Sequence, residues 1–252
     1  MKVMLAGDFI NTGSRLCAEF NVPKDKKMTV LFCNYPFESG TEYNNAQKNA
    51  LKRAFNVEKI IDLTEDYDFA DKIDIIFVNG GYGIFNTVKK FVDFQQDKKI
   101  IELVKNGAIY IGESTGSLLA CNFCYPPIYD TGDGLLLDME EKYKNFKGLN
   151  FVDKSLIVHM SKYRFPKNLV DGNAPTYRII NRFSSGKNPL KAGLKMMHTL
   201  RQKQIPYFSI AENEVYIING DRQYKKSVKW NHLPVKENIV TSAEKKIIAS
   251  LK

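Results

Sequence analysis

Short, almost continuously apolar segments alternate with helical patterns through the first two thirds of the chain. The strand-like segments are residues 3–6, 28–33, 59–63, 73–78 and 108–111. The helical patterns between and after them cover residues 42–55, 88–104 and 115–124. Strands that are apolar at nearly every position are typical of parallel sheets buried on both faces. The pattern therefore predicts an α/β fold, a three-layer α/β/α sandwich with a mostly parallel sheet.

The last third of the chain differs from the rest in composition and in pattern. Residues 160–205 are basic and interrupted by proline and glycine, and we expect a surface excursion that borders the functional site. Beyond it, strand-like residues 214–218 and 223–230 flank an Asn-Gly-Asp turn, which predicts a C-terminal β-hairpin. A length of 252 residues suits one large domain, so we predict a single domain over residues 1–252.

Charge and cysteine content bear on partners and location. The formal net charge is +9, with 15 Lys+Arg against 20 Asp+Glu in residues 1–140 and 22 against 8 in residues 141–252. The basic residues are scattered, so a solvated basic edge is favoured over a nucleic-acid surface, which stays an alternative. No signal-peptide pattern is recognised, no segment approaches the roughly 18 apolar residues of a membrane span, and the four cysteines are sparse. We expect a cytoplasmic protein with neither membrane nor nucleic-acid partner.

The run of residues 108–120 carries the clearest chemical signal. An apolar strand ends in Gly112-Glu113-Ser114-Thr115-Gly116, and a helical pattern follows directly. This is the layout of a nucleophile elbow, in which a sharp turn lifts a serine hydroxyl clear of the sheet. Small residues on either side let strand and helix approach closely, and free backbone N–H groups can stabilise an oxyanion. The motif predicts Ser114 as a nucleophile.

A serine nucleophile needs a base and a group that orients the base. Of the three histidines, His159 ends an apolar strand-like run and is the favoured base, because such a strand would deliver it to the same edge of the sheet as Ser114. The other two histidines lie in a helical pattern and in the C-terminal tail. Asp130 and Asp133, in the loop between Ser114 and His159, are the candidate orienting carboxylates.

Two further motifs contain residues that could bind an anion or a metal. Residues 79–83 form a glycine-rich loop without the Gly-Lys-Ser/Thr of a P-loop, so their backbone N–H groups are expected to face a small anion. Cys121 and Cys124 match C-x-x-C, but no second pair completes a zinc site, and buried structural thiols are expected. We therefore predict no metal and no cofactor.

Four segments together resemble the aspartyl dipeptidase (dipeptidase E) family of serine peptidases. Residues 75–81 resemble the family's strand into Gly-Gly-Asn-Thr, residues 104–117 its elbow, residues 148–159 the strand that carries its histidine, and residues 205–220 its closing strands. The resemblance covers most of residues 1–220. It implies the fold of class I glutamine amidotransferases, with serine in place of their cysteine.

The resemblance also implies roles for individual residues. Ser114 would be the nucleophile, His159 the base and Asp130 the third member, with Asp133 second in line, and backbone N–H groups of Gly81 and Thr115 would form the oxyanion hole.

The expected substrate is a small peptide. Its binding would involve Tyr82, Glu113, Lys162 and Arg164, with the two basic residues attracting a carboxylate and Glu113 opposing them. Tyr82 and Gly83 replace the Asn and Thr of the family loop. For that reason a catalytically silent member that binds a ligand or partner stays an alternative.

Overall fold

A computed structural model describes residues 1–37, 41–81, 83–124, 140–158 and 200–229. Within these ranges the strands are β1 (Lys2–Ala6), β2 (Met28–Cys33), β3 (Val57–Asp62), β4 (Ile75–Val78), β5 (Ile109–Glu113), β6 (Ser155–Ile157), β7 (Tyr207–Ser209), β8 (Glu214–Asn219) and β9 (Arg222–Ser227). The α-helices are α1 (Ser14–Leu16), α2 (Thr41–Ala54), α3 (Ile84–Asp93), α4 (Gln96–Lys105), α5 (Thr115–Leu119) and α6 (Glu141–Lys144). Shorter helical turns lie at Phe9–Gly13, Cys17–Phe20 and Tyr35–Phe37.

Among the described residues, seven strands form the main sheet in the order β3-β2-β4-β5-β1-β8-β9. The first five are parallel to one another, whereas β8 runs antiparallel to β1 and β9 antiparallel to β8. The β8–β9 hairpin turns at Gly220, whose φ of 64° suits glycine. The predicted mostly parallel sheet and the C-terminal hairpin are both confirmed.

Two apolar cores cover the two faces of this sheet. Strand β1 shows the division, because Val3 and Leu5 pack into one core while Met4 and Ala6 pack into the other, all four fully buried. Helices α3, α4 and α5 contribute to the first core and α2 to the second. Since alternate residues of a strand point to opposite faces, apolar side chains are needed at every position. The predicted three-layer sandwich is confirmed.

The helical pattern over residues 88–104 is interrupted, contrary to the single helix expected. Helix α3 ends before Phe94, and Gln95 adopts a left-handed conformation with φ of 53° before α4 begins. Apolar periodicity continues across the break, since Phe91 and Ile100 both pack into the same core. The apolar periodicity alone therefore does not reveal the break between the two helices.

Helix α5 is shorter than expected and ends at Leu119. Residues after it pair with a neighbouring segment: Leu149 N–H donates to Leu119 O at 2.7 Å, and Phe151 N–H donates to Ala120 O at 2.8 Å. These bonds satisfy the carbonyls that a longer helix would have used. Cys121 and Cys124 consequently lie beyond the helix, and both are buried free thiols, as expected.

Strand β6, which precedes His159 in sequence, does not belong to the main sheet. It pairs in parallel with β7 in a separate two-stranded sheet, where Leu156 lies opposite Phe208. The expectation that this strand joins the sheet of Ser114 is wrong, and the place beside β1 is taken by β8, which lies between β1 and β9. The β6–β7 pair continues past its strands through a bond from Ile210 N–H to Ile157 O at 3.0 Å.

Candidate active site

Ser114 lies at the sharp turn between β5 and α5. Its φ of 47° and ψ of −105° are unusual for a residue with a side chain, and such angles cost about 1–3 kcal/mol. Two backbone bonds hold the turn: Ser114 N–H donates to Ala6 O at 2.8 Å, and Leu118 N–H donates to Ser114 O at 3.1 Å. The sharp strand-to-helix turn predicted from the sequence is confirmed, and its backbone is strained.

The two glycines of the motif are required by close packing. A Cβ on Gly112 would lie 2.5 Å from the carbonyl carbon and oxygen of Gly116, and a Cβ on Gly116 would lie 2.1 Å from Val78 O. Both distances are far below van der Waals contact, and the atoms met are backbone atoms that cannot rotate away. A side chain at either position would push α5 off the sheet and displace Ser114.

Buried hydrogen bonds fix the start of α5. The Tyr110 hydroxyl donates to Gly116 O at 2.7 Å, and the Ser117 hydroxyl lies 2.7 Å from Gly112 O and accepts from Ala6 N–H at 3.0 Å. Tyr110 and Ser117 are both fully buried. Bonds of this kind, shielded from water, hold the elbow against β1 and β5.

The glycine-rich loop after β4 lies against the elbow. The Thr115 hydroxyl donates a hydrogen bond to Gly81 O, and a Cβ on Gly80 would lie 3.2 Å from Ser114 Cβ. Gly81 has a φ of 147°, which a residue with a side chain rarely adopts. The structure thus brings together Ser114, Thr115 and Gly81, three of the residues that the sequence placed in one site.

Glu113, the residue before Ser114, is only 3% exposed. Its carboxylate accepts hydrogen bonds from the Tyr43 hydroxyl at 2.6 Å, from Phe9 N–H at 3.1 Å, from Gly80 N–H at 3.3 Å and from the Gln47 side-chain amide. Burial raises the pKa of this carboxyl to about 7, the charge of Asp8 adds to the rise, and hydrogen bonds oppose it. This burial argues against the direct substrate contact expected from the sequence.

Glu212 is a second buried acid at this edge, and the sequence analysis did not single it out. It is 9% exposed, and both of its carboxylate oxygens are buried. Its carbonyl accepts from the Thr12 hydroxyl at 2.8 Å, and its Cα lies 3.5 Å from the position of a Cβ on Gly7. Gly7 follows Ala6, whose carbonyl holds Ser114 N–H. The sequence signal that could have identified Glu212 is its place just after the strand-like residues 207–210.

The other expected site residues, Tyr82, Asp130, Asp133, His159, Lys162 and Arg164, lie outside the described residues. Within the described ranges, no group of three or more His, Cys, Asp or Glu side chains is arranged to hold a metal ion. The helices in the same part of the chain include none long and apolar enough to cross a membrane.

The mostly parallel sheet, the serine on a strained elbow and the adjoining glycine loop define an α/β serine hydrolase. Comparison with known proteins makes the class more specific. The chain matches the model of peptidase family S51 over residues 21–224 and belongs to that family. It is a serine-type peptidase and acts on a peptide substrate.

A solved structure supports the same fold. The chain is similar to a candidate peptidase E from Listeria monocytogenes EGD-e, with a TM-score of 0.59 and 21% sequence identity. The similarity covers 90% of this chain and 98% of the other. No curated protein sequence matches the chain significantly. The fold is therefore the class I glutamine amidotransferase-like sandwich expected from the sequence.

Proposed function

We propose that the protein hydrolyses di- and tripeptides, with Ser114 as the nucleophile and His159 as the base. The observation that carries this proposal is the conformation of Ser114 between two glycines that admit no side chain. A backbone held at strained angles in this way is typical of functional sites, where surrounding contacts hold the strain in place. The glycine loop, despite lacking the family's Asn and Thr, still lies against the elbow.

The reaction is acyl transfer to the serine followed by hydrolysis. His159 accepts the proton of the Ser114 hydroxyl as the oxygen attacks the peptide carbonyl, and backbone N–H groups of Gly81 and Thr115 stabilise the oxyanion. His159 then gives the proton to the leaving amine. Water attacks the acyl-enzyme in the same manner and releases the acid product.

Two regions supply candidates for the carboxylate that orients His159. Asp130 is the residue implied by family resemblance, with Asp133 second. Glu212 is a candidate because of the register of β6 and β7, which are parallel with Ile157 opposite Ser209. His159 follows Ile157 by two residues, and Glu212 follows Ser209 by three. Residues that follow two paired parallel strands leave the sheet at the same end, so Glu212 is a further alternative to Asp130, beside Asp133.

Substrate binding is proposed for Tyr82, Lys162 and Arg164. The side chains of Lys162 and Arg164 would attract a carboxylate of a short peptide. Tyr82 belongs to the glycine-rich loop of residues 79–83. We expect only a weak preference for an N-terminal aspartate.

Hydrolysis assays test the proposal. Asp-, Ala- and Lys-leading dipeptide amides are compared with casein, using wild type and Ser114→Ala. We expect cleavage of dipeptide amides by wild type alone and little cleavage of casein. Efficient casein cleavage would contradict the small-substrate proposal. Absence of all hydrolysis in a folded wild type would favour the silent, ligand-binding alternative.

Single substitutions at the three acids identify the third member. Without the orienting carboxylate the imidazole adopts the wrong tautomer. In a well-characterised triad this change lowers kcat on the order of 10⁴-fold. We expect that loss from Asp130→Asn. If Glu212→Gln or Asp133→Asn shows this loss of kcat while Asp130→Asn stays active, the orienting carboxylate is the one that was replaced.

A further inference from the structure

Helix α2 presents a buried polar face to the candidate active site. Its side chains Tyr43, Asn44 and Gln47, together with Asn79 and Glu113, form a set that we call the α2 polar cluster. Gln47 and Asn79 are fully buried, Asn44 is 7% exposed and Glu113 is 3% exposed. A buried polar group costs stability unless it is hydrogen-bonded, a requirement that apolar side chains do not have. Packing alone would be served better by apolar residues, like those of the second half of the same helix.

The cluster converges on one backbone group of the glycine loop. Gly80 N–H lies 2.8 Å from Asn79 Oδ1 and 3.3 Å from Glu113 Oε2. Asn79 is held by its own amide, which donates to Asn44 Oδ1 at 2.6 Å. Glu113 is held by the Tyr43 hydroxyl and the Gln47 amide. Both acceptors of Gly80 N–H are therefore anchored to α2.

Gly80 in turn lies between the carboxylate and the nucleophile. A Cβ on this glycine would be 3.1 Å from Glu113 Oε2 and 3.2 Å from Ser114 Cβ. Glu113 is also covalently joined to Ser114, so its side chain and its backbone connect the loop and the nucleophile through one residue. A shift of the carboxylate would move Gly80, and with it Gly81, relative to the Ser114 hydroxyl.

We propose that Glu113 is a positioning residue: its carboxylate, held by Tyr43 and Gln47, fixes the glycine loop so that Gly81 N–H points at the oxyanion. This inference rests on the proposed oxyanion hole. Donors to an oxyanion act at about 2.7–3.1 Å from the charge that develops in the transition state. A small displacement of the loop weakens that contact and leaves the bound substrate almost unaffected.

Two substitutions test this role in the full chain. Glu113→Gln keeps the shape but replaces one acceptor oxygen by a donor, and Tyr43→Phe removes one donor without changing charge. The matched controls are Glu42→Gln, an exposed acid on the same helix, and Tyr67→Phe, a tyrosine outside the cluster whose hydroxyl lies 3.3 Å from Asp71, four residues later. Steady-state kinetics use the dipeptide amide that wild type cleaves fastest. Inhibition by the corresponding peptide aldehyde, whose adduct carries an oxyanion, is measured alongside.

We expect Glu113→Gln to lower kcat by about 10- to 100-fold and Tyr43→Phe by about 10-fold, with KM within about 3-fold of wild type, because a misplaced donor weakens mainly the transition state. Aldehyde affinity should fall in proportion to kcat, and both controls should match wild type. A purely structural role would lower melting temperature without this proportionality. If both variants are folded and keep the wild-type kcat, the inference is overturned. Tyr43→Phe provides this test even if Glu113→Gln does not fold.

Failure of the proposed function has a different signature. It would appear in the wild type itself, as no hydrolysis or as hydrolysis that Ser114→Ala retains, and it would overturn both proposals together. Failure of the inference alone requires an active wild type, an inactive Ser114→Ala, and unchanged kcat in each cluster variant that folds.

Discussion

The buried carboxyl of Glu113 predicts a specific pH dependence of stability. Its pKa is about 7 in the folded protein against 4.5 for an ordinary glutamate, a difference of 7 − 4.5 = 2.5. At about 1.36 kcal/mol for each pKa unit, ionising this group costs the folded state roughly 3 kcal/mol. Because the folded pKa is raised, the folded state binds the proton more tightly than the unfolded chain does. The stabilising contribution is complete below pH 4.5 and is lost as pH rises through 7.

Glu113→Gln isolates this contribution because glutamine has a similar shape and does not ionise. The free energy of unfolding is measured by urea denaturation at intervals from pH 4.5 to 8 for wild type and the variant. The difference, wild type minus variant, should fall by roughly 3 kcal/mol across this range. Other titrating groups are shared by both proteins and cancel in the difference.

The exposed acid Glu42 provides the matched control. Glu42→Gln makes the same chemical change at the surface of α2, and its free energy of unfolding is measured over the same pH range as the reference for Glu113→Gln. A flat or rising difference for Glu113→Gln would refute the reasoning, since it would mean that the buried carboxyl ionises as readily as a solvated one.

Further predictions concern the elbow. Gly116→Ala should destabilise the fold by about 3 kcal/mol or more, measured by urea unfolding, because its Cβ would overlap Val78 O. Gly107→Ala, at a φ of 106° with nothing near its Cβ, is the matched control and should cost only about 1–3 kcal/mol of backbone strain. Equal losses at the two sites would contradict the packing argument. Tyr110→Phe should cost about 1–3 kcal/mol by leaving Gly116 O without the hydroxyl donor, and an unchanged midpoint would contradict that role.

The sheet and the elbow could be predicted from sequence because their signals are local. Apolar runs mark buried strands, and Gly112 and Gly116 mark a close approach that admits no side chain. The elbow serine could be identified for the same reason. Its strained backbone follows from the turn that these neighbours form.

Features set by contacts between distant segments could not be predicted. The pairing of β6 with β7 joins segments far apart in the chain, and the end of α5 depends on Leu149 and Phe151 reaching its last carbonyls. The burial of Glu113 likewise depends on Tyr43 and Gln47, about 70 residues earlier in the chain. A charge beside the nucleophile looks exposed until these partners are known.

Labelling with a fluorophosphonate tests the central claim most directly, because the reagent bonds covalently to an activated serine. Intact-mass measurement of the full chain, followed by peptide mapping, gives the number and position of adducts. We predict one adduct at Ser114 in wild type and none in Ser114→Ala, with peptide hydrolysis lost in step with labelling. An adduct at another serine, or hydrolysis that persists after Ser114 is replaced, would contradict the account.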